Sequence, residues 1–441
     1  MPDELASTGF WLNCITGASV TLLVILFSWP AARFFHEPQV ATILQFLSVS
    51  FFLGAVCVVP TALLNRAMEF RKLAFAQTIG AICGTLVAIG VALSGGKLSA
   101  LVAANLAFNF ATTVMTWLMS PLRVKAVFRV ADARRILSFG LHLTGFHVLN
   151  YFSRNADNVL VGRFLGSGPL GYYQMGYMLM TYPLQNFNHM LEQVVYPALA
   201  SLPDDRERFK AAYLRTCRLI ALVTFPLMFG LAVTAQPFIR LFLGARWMPV
   251  AGLLLVFGPL GAAESIYTTV GLIYNTRGRP DLRLRWTIFA STLYVLSFVV
   301  GLRWGIMGVA SGYAIMWTAL MYPSFAIPFR LIELSIATFV RTLWPMLWYS
   351  LVMAAVAGSW LHGLRLLGIQ NAAVLLFTTA ALGAAVYTVL VLWRKPPVLN
   401  ELATVLEGSS RGGLRALARV LSKAGARTAN LPRDAASSQE V

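Results

Sequence analysis

The sequence predicts an all-α membrane protein that crosses the bilayer many times. Of its 441 residues, 58% are hydrophobic and only 12% are charged, whereas a soluble domain has about 25% charged residues. The core of a single soluble domain is too small to bury so many hydrophobic residues, whereas repeated membrane spans of about 20 apolar residues can accommodate them. These spans must be helices, because they are too long for barrel strands and do not alternate between apolar and polar residues.

Twelve apolar segments are long enough to cross a bilayer as helices. They cover residues 8–32, 40–65, 72–95, 98–119, 136–165, 169–200, 215–240, 247–275, 286–303, 305–328, 341–362 and 370–393. The connections between them are short, so almost nothing is expected outside the membrane before the C-terminal tail.

The 35 Lys and Arg residues are distributed unevenly over the predicted loops. With a cytoplasmic N-terminus, the cytoplasmic loops and tail hold 27 of them, the opposite side holds seven, and Arg154 falls inside a span. Cytoplasmic loops are enriched in Lys and Arg, so both termini are predicted to be cytoplasmic. The net charge of +18 then reflects the concentration of Lys and Arg on the cytoplasmic side, where they would contact anionic inner-leaflet lipid. Nucleic acid is not an expected partner.

A weak internal repeat relates the two halves of the chain. The pattern Pro-x-x-Arg-x-Phe at residues 30–35 recurs at residues 237–242, and similar matches continue at a nearly constant offset. Spans seven to ten would then repeat spans one to four in parallel orientation, and spans five and six would have counterparts before Met1. This predicts two six-helix lobes and two trailing helices, of which 12 of 14 are present. The alternative is a diverged, asymmetric protein of twelve spans.

The repeat also predicts the domain organisation. The regions are an incomplete N-terminal lobe of four helices (1–135), a C-terminal lobe of six helices (136–330), two additional helices (331–394) and a basic cytoplasmic tail (395–441). Apolar and basic residues between 411 and 423 suit a short helix on the inner leaflet or a solvated tail.

Polar side chains inside spans are costly in lipid, so they face a cavity or another helix. The fifth span carries such side chains on one face: His147, Asn150, Arg154, Asp157 and Asn158. We interpret this face as the lining of a wet cavity, where the guanidinium of Arg154 would bind a phosphate. The alternative is a structural ion pair between Arg154 and Asp157, which are three residues apart.

Two further spans have polar faces. In the sixth they include Gln174, Thr181, Gln185, Asn188, His189, Glu192 and Tyr196, and in the eighth Glu264, Tyr267, Thr268, Gly271, Tyr274 and Asn275. Asp157, Glu192 and Glu264 are the carboxylates placed within spans. Each is a candidate for carrying a coupling proton, and the alternative for each is a hydrogen-bonded structural role.

No metal or cofactor is predicted. The four cysteines have no paired spacing and the histidines lack metal-ligand spacing. Residues 166–171 fit G-x-G-x-x-G, but no strand precedes them, so they predict a tight turn between membrane helices rather than a nucleotide site.

A family resemblance rests on the region after residue 150. The chain reads Asn150-Tyr-Phe-Ser-Arg154-Asn155-Ala-Asp157-Asn158, then Gly162-Arg163-x-x-Gly166 and Leu170-Gly171-Tyr172. Similar support comes from Tyr196-Pro197-Ala198-Leu199, Gly244-Ala-Arg-Trp247 and the opening Ser7-Thr8-Gly9-Phe10-Trp11-Leu12-Asn13. To about residue 395 the chain resembles the Wzx-type polysaccharide transporters of the multidrug/oligosaccharidyl-lipid/polysaccharide exporter superfamily.

The resemblance implies a two-lobed helical bundle with a central cationic cavity. In that family the cavity takes an undecaprenyl-diphosphate-linked glycan from the cytoplasmic face and releases it outward, usually with coupling to an ion gradient or the membrane potential. The opening run precedes the third helix of the family, so the resemblance also implies two helices before Met1.

The resemblance implies roles for the predicted site residues. Arg154 would hold the diphosphate, with help from Arg163, Arg240 or Arg33. Asn150, Asn158, Gln185, Asn188 and Tyr267 would meet sugars, and Asp157, Glu192 or Glu264 would carry coupling. It implies a flippase in the bacterial cytoplasmic membrane, not an enzyme, working beside a polysaccharide polymerase and glycosyltransferases. The rival interpretations are a drug exporter of the same superfamily, a membrane-embedded polymerase or ligase, and a non-transporting subunit.

Overall fold

A computed structural model describes residues 3–122, 124–134, 137, 151 and 155–394 except 201–205, with the backbone alone at 3, 186–200 and 394. Asn150, Arg154 and the tail from 395 lie outside the described residues. Within the described part the chain is built from helices and short connections. It forms two compact units, Met1–Ala156 and Asp157–Val441.

The N-terminal unit contains four long helices that correspond to predicted spans one to four. They are α1 (Asp3–Phe35), α2 (Gln39–Arg66), α3 (Phe70–Leu93) and α4 (Lys97–Met119). Helix α1 packs on α2, α3 on α4, and α2 on α4. Left-handed backbone at His36, Met68 and Gly95 turns the chain between successive helices, as is common just after a helix end.

Small residues set the close contact between α3 and α4. Gly80 and Gly84 lie one turn apart on α3, and both are buried. A Cβ at Gly84 would lie 2.9 Å from the carbonyl oxygen of Ala104 on α4, and one at Gly80 would overlap the hydroxyl of Thr112. Glycines at this spacing allow two helix backbones to approach closely, which is how helices associate without a hydrophobic driving force in lipid.

The C-terminal unit begins at Asp157 and contains the remaining helices. They are α5 (Ala156–Phe164), α6 (Ser167–Ala200), α7 (Arg206–Val233), α8 (Ala235–Phe242), α9 (Pro249–Tyr267), α10 (Val270–Thr276), α11 (Pro280–Gly301), α12 (Gly305–Leu331), α13 (Ile336–Leu366) and α14 (Ala372–Arg394). Many of their apolar residues meet in a large buried cluster that includes Tyr213, Phe257 and Phe329.

Two predicted spans are divided in the structure. The predicted span 215–240 is a longer helix α7 followed by the short α8, because Pro237 has no N–H to donate to the carbonyl of Val233. The predicted span 247–275 is interrupted between α9 and α10 at Thr268 and Thr269. Both hydroxyls donate to carbonyls three residues earlier, and such bonds compete with the helical ladder.

The described helices include nine stretches long and apolar enough to cross a membrane. One stretch, residues 280–331, contains both α11 and α12, which a tight turn at Leu302–Trp304 separates. The prediction of an all-α, multi-pass membrane fold is therefore confirmed. The count of twelve spans also depends on span five, which includes residues outside the described ones, and on span six, which lies within α6 and has its backbone alone described from 186 to 200. The region boundaries at 135, 330 and 394 stay predictions.

Candidate functional site in the C-terminal unit

Asp157 is a buried carboxylate at the start of α5. Only 6% of its surface is exposed. Its Oδ1 accepts a hydrogen bond from the backbone N–H of Asn158 at 2.8 Å, and its Oδ2 accepts one from the hydroxyl of Tyr173 at 2.9 Å. Tyr173 lies on α6 and is fully buried. One donor from a helix start and one from a neighbouring helix therefore hold the carboxylate in a single orientation.

Glu264 forms a second pair of the same chemistry. It lies in the last turn of α9, half-buried, and its Oε1 accepts a hydrogen bond from the hydroxyl of Tyr313 on α12 at 3.1 Å. The ring of Tyr313 packs edge-on against Tyr294 of α11, with 5.2 Å between ring centroids. Three helices thus meet at this carboxylate.

Tyrosines connect the two carboxylates. Tyr173 and Tyr177 lie one turn apart on α6, and both rings pack edge-on against Phe257 of α9, at 5.7 and 6.1 Å. Tyr173 lies within electrostatic range of both carboxylates, and Tyr313 lies within range of Tyr177. We call this group the carboxylate–tyrosine cluster; its members are Asp157, Tyr173, Tyr177, Glu264 and Tyr313.

Tyr267 lies beside this cluster at the end of α9. Its ring packs edge-on against Trp317 and Phe325 of α12, with centroid distances of 6.4 and 6.0 Å. Its hydroxyl lies within electrostatic range of Glu264. The ring is half-buried, and its packing against α12 fixes its position.

Of the other predicted site residues, Asn158 adjoins Asp157 and bonds it through its backbone N–H; the rest are not among the cluster's contacts, have no described side chain or lie outside the described residues. Asn158 and Arg163 are half-buried on α5, and the Arg163 guanidinium lies 5.7 Å from the ring centroid of Phe164. Gln185 is exposed on α6. Asn188 and Glu192 lie further along α6, where the backbone alone is described, and Asn150 and Arg154 are not described.

The structure therefore brings Asp157, Glu264 and Tyr267 into one region, and the proposed roles of all ten residues stay predictions. The sequence interpretation did not single out Tyr173, Tyr177 and Tyr313. Their i, i+4 spacing on α6 was a visible signal for the first two. No pattern in the chain marked Tyr313, because its partner is 49 residues away.

A cavity of about 460 Å³ opens on α11. It is lined by Arg285, Ile288, Phe289, Thr292 and Leu293, none of which was predicted as a site residue. Among the described side chains, no group of three or more His, Cys, Asp or Glu residues is placed to hold a metal ion.

Comparison with known protein families gives one match over the first part of the chain. Residues 2–252, more than half of the chain, match a family described as "Polysaccharide biosynthesis protein". The match covers the N-terminal unit from residue 2 onward and continues through α5 to α8.

Individual relatives are more distant. The lipopolysaccharide biosynthesis protein WzxC of Escherichia coli (strain K12) is 25% identical over 321 residues, which cover 70% of this chain and 64% of that protein. The teichuronic acid biosynthesis protein TuaB of Bacillus subtilis (strain 168) is 24% identical over 318 residues, covering 71% and 66%. The chain thus spans just under two thirds of the length of these relatives.

One solved structure has the same fold. The lipid II flippase MurJ, in an inward closed conformation, superimposes with a TM-score of 0.71 over 89% of this chain and 84% of that chain. Sequence identity is 17%, so the similarity concerns the fold. The expected resemblance to the polysaccharide transporters is confirmed by the family match and the names of the relatives.

Proposed function

The chain belongs to the polysaccharide biosynthesis protein family, and from this premise we propose that it is a flippase for lipid-linked oligosaccharides. The substrate is a glycan unit on undecaprenyl diphosphate, used for O-antigen, capsule or exopolysaccharide synthesis. The protein works by alternating access in the bacterial cytoplasmic membrane, with both termini cytoplasmic. The functions that the relatives are named for and the flippase fold support this proposal.

The carboxylate–tyrosine cluster is the observation that carries the proposal. Carboxylates within membrane spans are costly. A bundle with a purely structural role has no need for two buried carboxylate–tyrosine pairs, Asp157 with Tyr173 and Glu264 with Tyr313, in one region. When Asp157 or Glu264 binds a proton or a cation, the carboxylate becomes a weaker acceptor for the hydrogen bond that its tyrosine partner donates. Because each phenol is on a different helix from its carboxylate, loading biases the packing of α5, α6, α9 and α12.

The substrate contacts belong to the same proposal. Arg154 binds the diphosphate through its planar fork of donors, with help from Arg163. Amide and hydroxyl groups contact the sugars; these are Asn150, Asn158, Gln185, Asn188 and Tyr267. Glu192 is the third coupling candidate. A polysaccharide polymerase and glycosyltransferases act as partners that consume and supply the lipid-linked unit.

A reconstituted assay tests the function directly. The purified chain is placed in liposomes that contain a fluorescent, short-chain polyprenyl-diphosphate oligosaccharide, and dithionite quenching measures how fast the inner-leaflet lipid reaches the outer leaflet. We expect the chain to accelerate this movement. Arg154→Ala and Asp157→Asn should each slow it by about tenfold or more, since a charge-assisted hydrogen bond is lost.

The matched control is Arg303→Ala, which removes an exposed arginine from the turn between α11 and α12. It should leave the rate unchanged. Equal slowing by Arg303→Ala and Arg154→Ala would show that the site assignment is wrong. A chain that moves ethidium but no lipid-linked glycan would be a drug exporter instead.

A further inference from the structure

An arginine lies between two tyrosines where α10 meets the start of α11. Tyr267, Gly271 and Tyr274 are spaced by four and three residues, so they share one face. The face continues through the interruption between α9 and α10, because Thr268 and Thr269 keep helical backbone angles. This face is the one that the sequence marked as polar in the eighth span.

The Arg283 guanidinium lies against the middle of that face. A Cβ at Gly271 would lie 3.2 Å from Nη1 and 3.3 Å from Cζ of Arg283. Tyr267 and Tyr274 both lie within electrostatic range of this guanidinium. Glycine at position 271 therefore gives the arginine its place between the two phenols, and a larger residue would displace it.

The site has unused binding capacity. Tyr274 is only 2% exposed, and among the described residues its hydroxyl has no hydrogen-bond partner. A buried hydroxyl without a partner is costly. The structure also gives Arg283 no ion pair with a described carboxylate, whereas nearby Arg279 is paired with Asp281 at 3.0 Å. A fixed cation and an unsatisfied buried hydroxyl together suit an anion that has several oxygens.

We propose that Arg283, with the hydroxyl of Tyr274, forms a binding site for a lipid-borne phosphate, namely the diphosphate of the lipid-linked substrate. The guanidinium fork matches phosphate oxygens in geometry and charge, and the phenol of Tyr274 can donate a further hydrogen bond. Arg283 lies in a predicted cytoplasmic loop and Tyr274 lies at the adjoining end of the eighth span, so the site is on the side from which the substrate enters under the proposed function. This inference rests on the proposed function, which supplies the diphosphate.

A neighbouring arginine provides a matched control. Arg285 lies two residues further along α11 and is exposed like Arg283. The two side chains leave the helix about 200° apart, and Arg285 lines the separate cavity with Ile288 and Phe289. Removing either arginine changes the net charge equally at nearly the same depth. A difference in binding between the two variants is therefore caused by the site and not by the surface charge.

The test measures equilibrium binding of radiolabelled farnesyl diphosphate to the purified chain in nanodiscs of neutral phosphatidylcholine. We expect Arg283→Ala to weaken binding by about tenfold or more and Tyr274→Phe by about fivefold, the effects of losing a charged and a neutral hydrogen-bond donor. Arg285→Ala should stay within about twofold of the unchanged chain. Equal losses for the two arginine variants, or no effect of Tyr274→Phe, would overturn the proposal.

A second arm separates the two sources of lipid phosphate. The same binding is measured in nanodiscs of equal parts phosphatidylcholine and phosphatidylglycerol. If farnesyl diphosphate still binds through Arg283 in the presence of phosphatidylglycerol, the ligand of the site is the diphosphate of the substrate. Loss of that binding to competing phosphatidylglycerol would assign the site to bulk phospholipid and overturn this assignment.

The two proposals fail in different ways. A chain that binds farnesyl diphosphate through Arg283 but moves no lipid would contradict the flippase function alone. A chain that moves lipid while Arg283→Ala binds normally would contradict this site alone. Tyr274→Phe keeps the buried ring, so its folded state serves as the reference if Arg283→Ala elutes as an aggregate.

Discussion

The hydroxyl of Tyr387 on α14 donates a hydrogen bond to the carbonyl oxygen of Leu222 on α7, at 2.8 Å. Pro226 lies four residues after Leu222 in the same helix. Since proline has no N–H, the Leu222 carbonyl lacks the donor that an ordinary helix would supply. The phenol supplies the hydrogen bond that the proline removes, as is required of helix interruptions at membrane depth. It also connects α14 to α7 within the C-terminal unit.

This relationship predicts a coupled effect of two substitutions. Tyr387→Phe should lower the free energy of unfolding by about 1–2 kcal/mol, because a buried carbonyl loses its donor. In a Pro226→Ala background the same change should cost less, since the backbone N–H of the introduced alanine would complete the helical hydrogen bond. Denaturation in detergent of the four proteins measures the difference. An equal cost in both backgrounds would contradict the compensation.

The Asp157–Tyr173 hydrogen bond predicts a specific cost of losing one phenol. Tyr173→Phe should destabilise the protein by about 1–3 kcal/mol, because it removes a donor from a buried carboxylate. The matched control is Tyr172→Phe, whose ring packs edge-on against Trp247 and which should be nearly neutral. Thermal unfolding in detergent measures both. Similar shifts for the two variants would show that the hydroxyl of Tyr173 contributes nothing beyond its ring.

The α3–α4 contact predicts opposite effects of the same substitution on one helix. Gly84→Ala should destabilise the N-terminal unit by roughly 1–3 kcal/mol, because the new Cβ meets the backbone oxygen of Ala104 at 2.9 Å. Gly90→Ala has no atom within 4 Å of its Cβ, so it should be neutral or stabilise by up to about 1 kcal/mol. Thermal unfolding of the Gly84→Ala and Gly90→Ala variants measures the two effects. A stable Gly84→Ala protein would mean that the helices are not in close contact there.

The segment after α4 is held against the start of α1. The Trp11 indole N–H donates to the carbonyl of Lys125 at 3.1 Å, and the backbone N–H of Lys125 donates to the Ser7 hydroxyl at 3.0 Å. The Glu4 carboxylate pairs with the Arg129 guanidinium. Part of the opening run singled out in the sequence therefore binds the connection that leads out of the N-terminal unit.

This contact predicts protection from trypsin. Combining Ser7→Ala with Trp11→Phe should increase cleavage after Lys125 by about tenfold or more, because two hydrogen bonds that hold the segment are lost. Ser19→Ala is the control, since its hydroxyl bonds the carbonyl of Ile15 in its own helix. Mass spectrometry of timed digests measures the rate. Unchanged cleavage in the double variant would show that other contacts hold the segment.

The positions of the membrane helices followed from the sequence because the cost of placing a residue in lipid is local. Helices α1 to α4 begin and end within a few residues of the predicted spans. Helix α7 differs most: it begins at Arg206, nine residues before the predicted 215, since a hydropathy pattern does not report a helix that extends past the apolar core. The interruptions of spans seven and eight depend on Pro237 and on threonine hydroxyl bonds, which hydropathy also does not report.

The sequence by itself determined the class of fold, the order of its helices and the presence of carboxylates in the spans, because each of these depends on residue type and near neighbours. Only the tertiary structure decided the partners. Tyr173, Tyr313 and Tyr387 reach their acceptors across 16, 49 and 165 residues. Such distances in sequence are closed by the packing of whole helices, whose small residues and proline interruptions set which side chains meet.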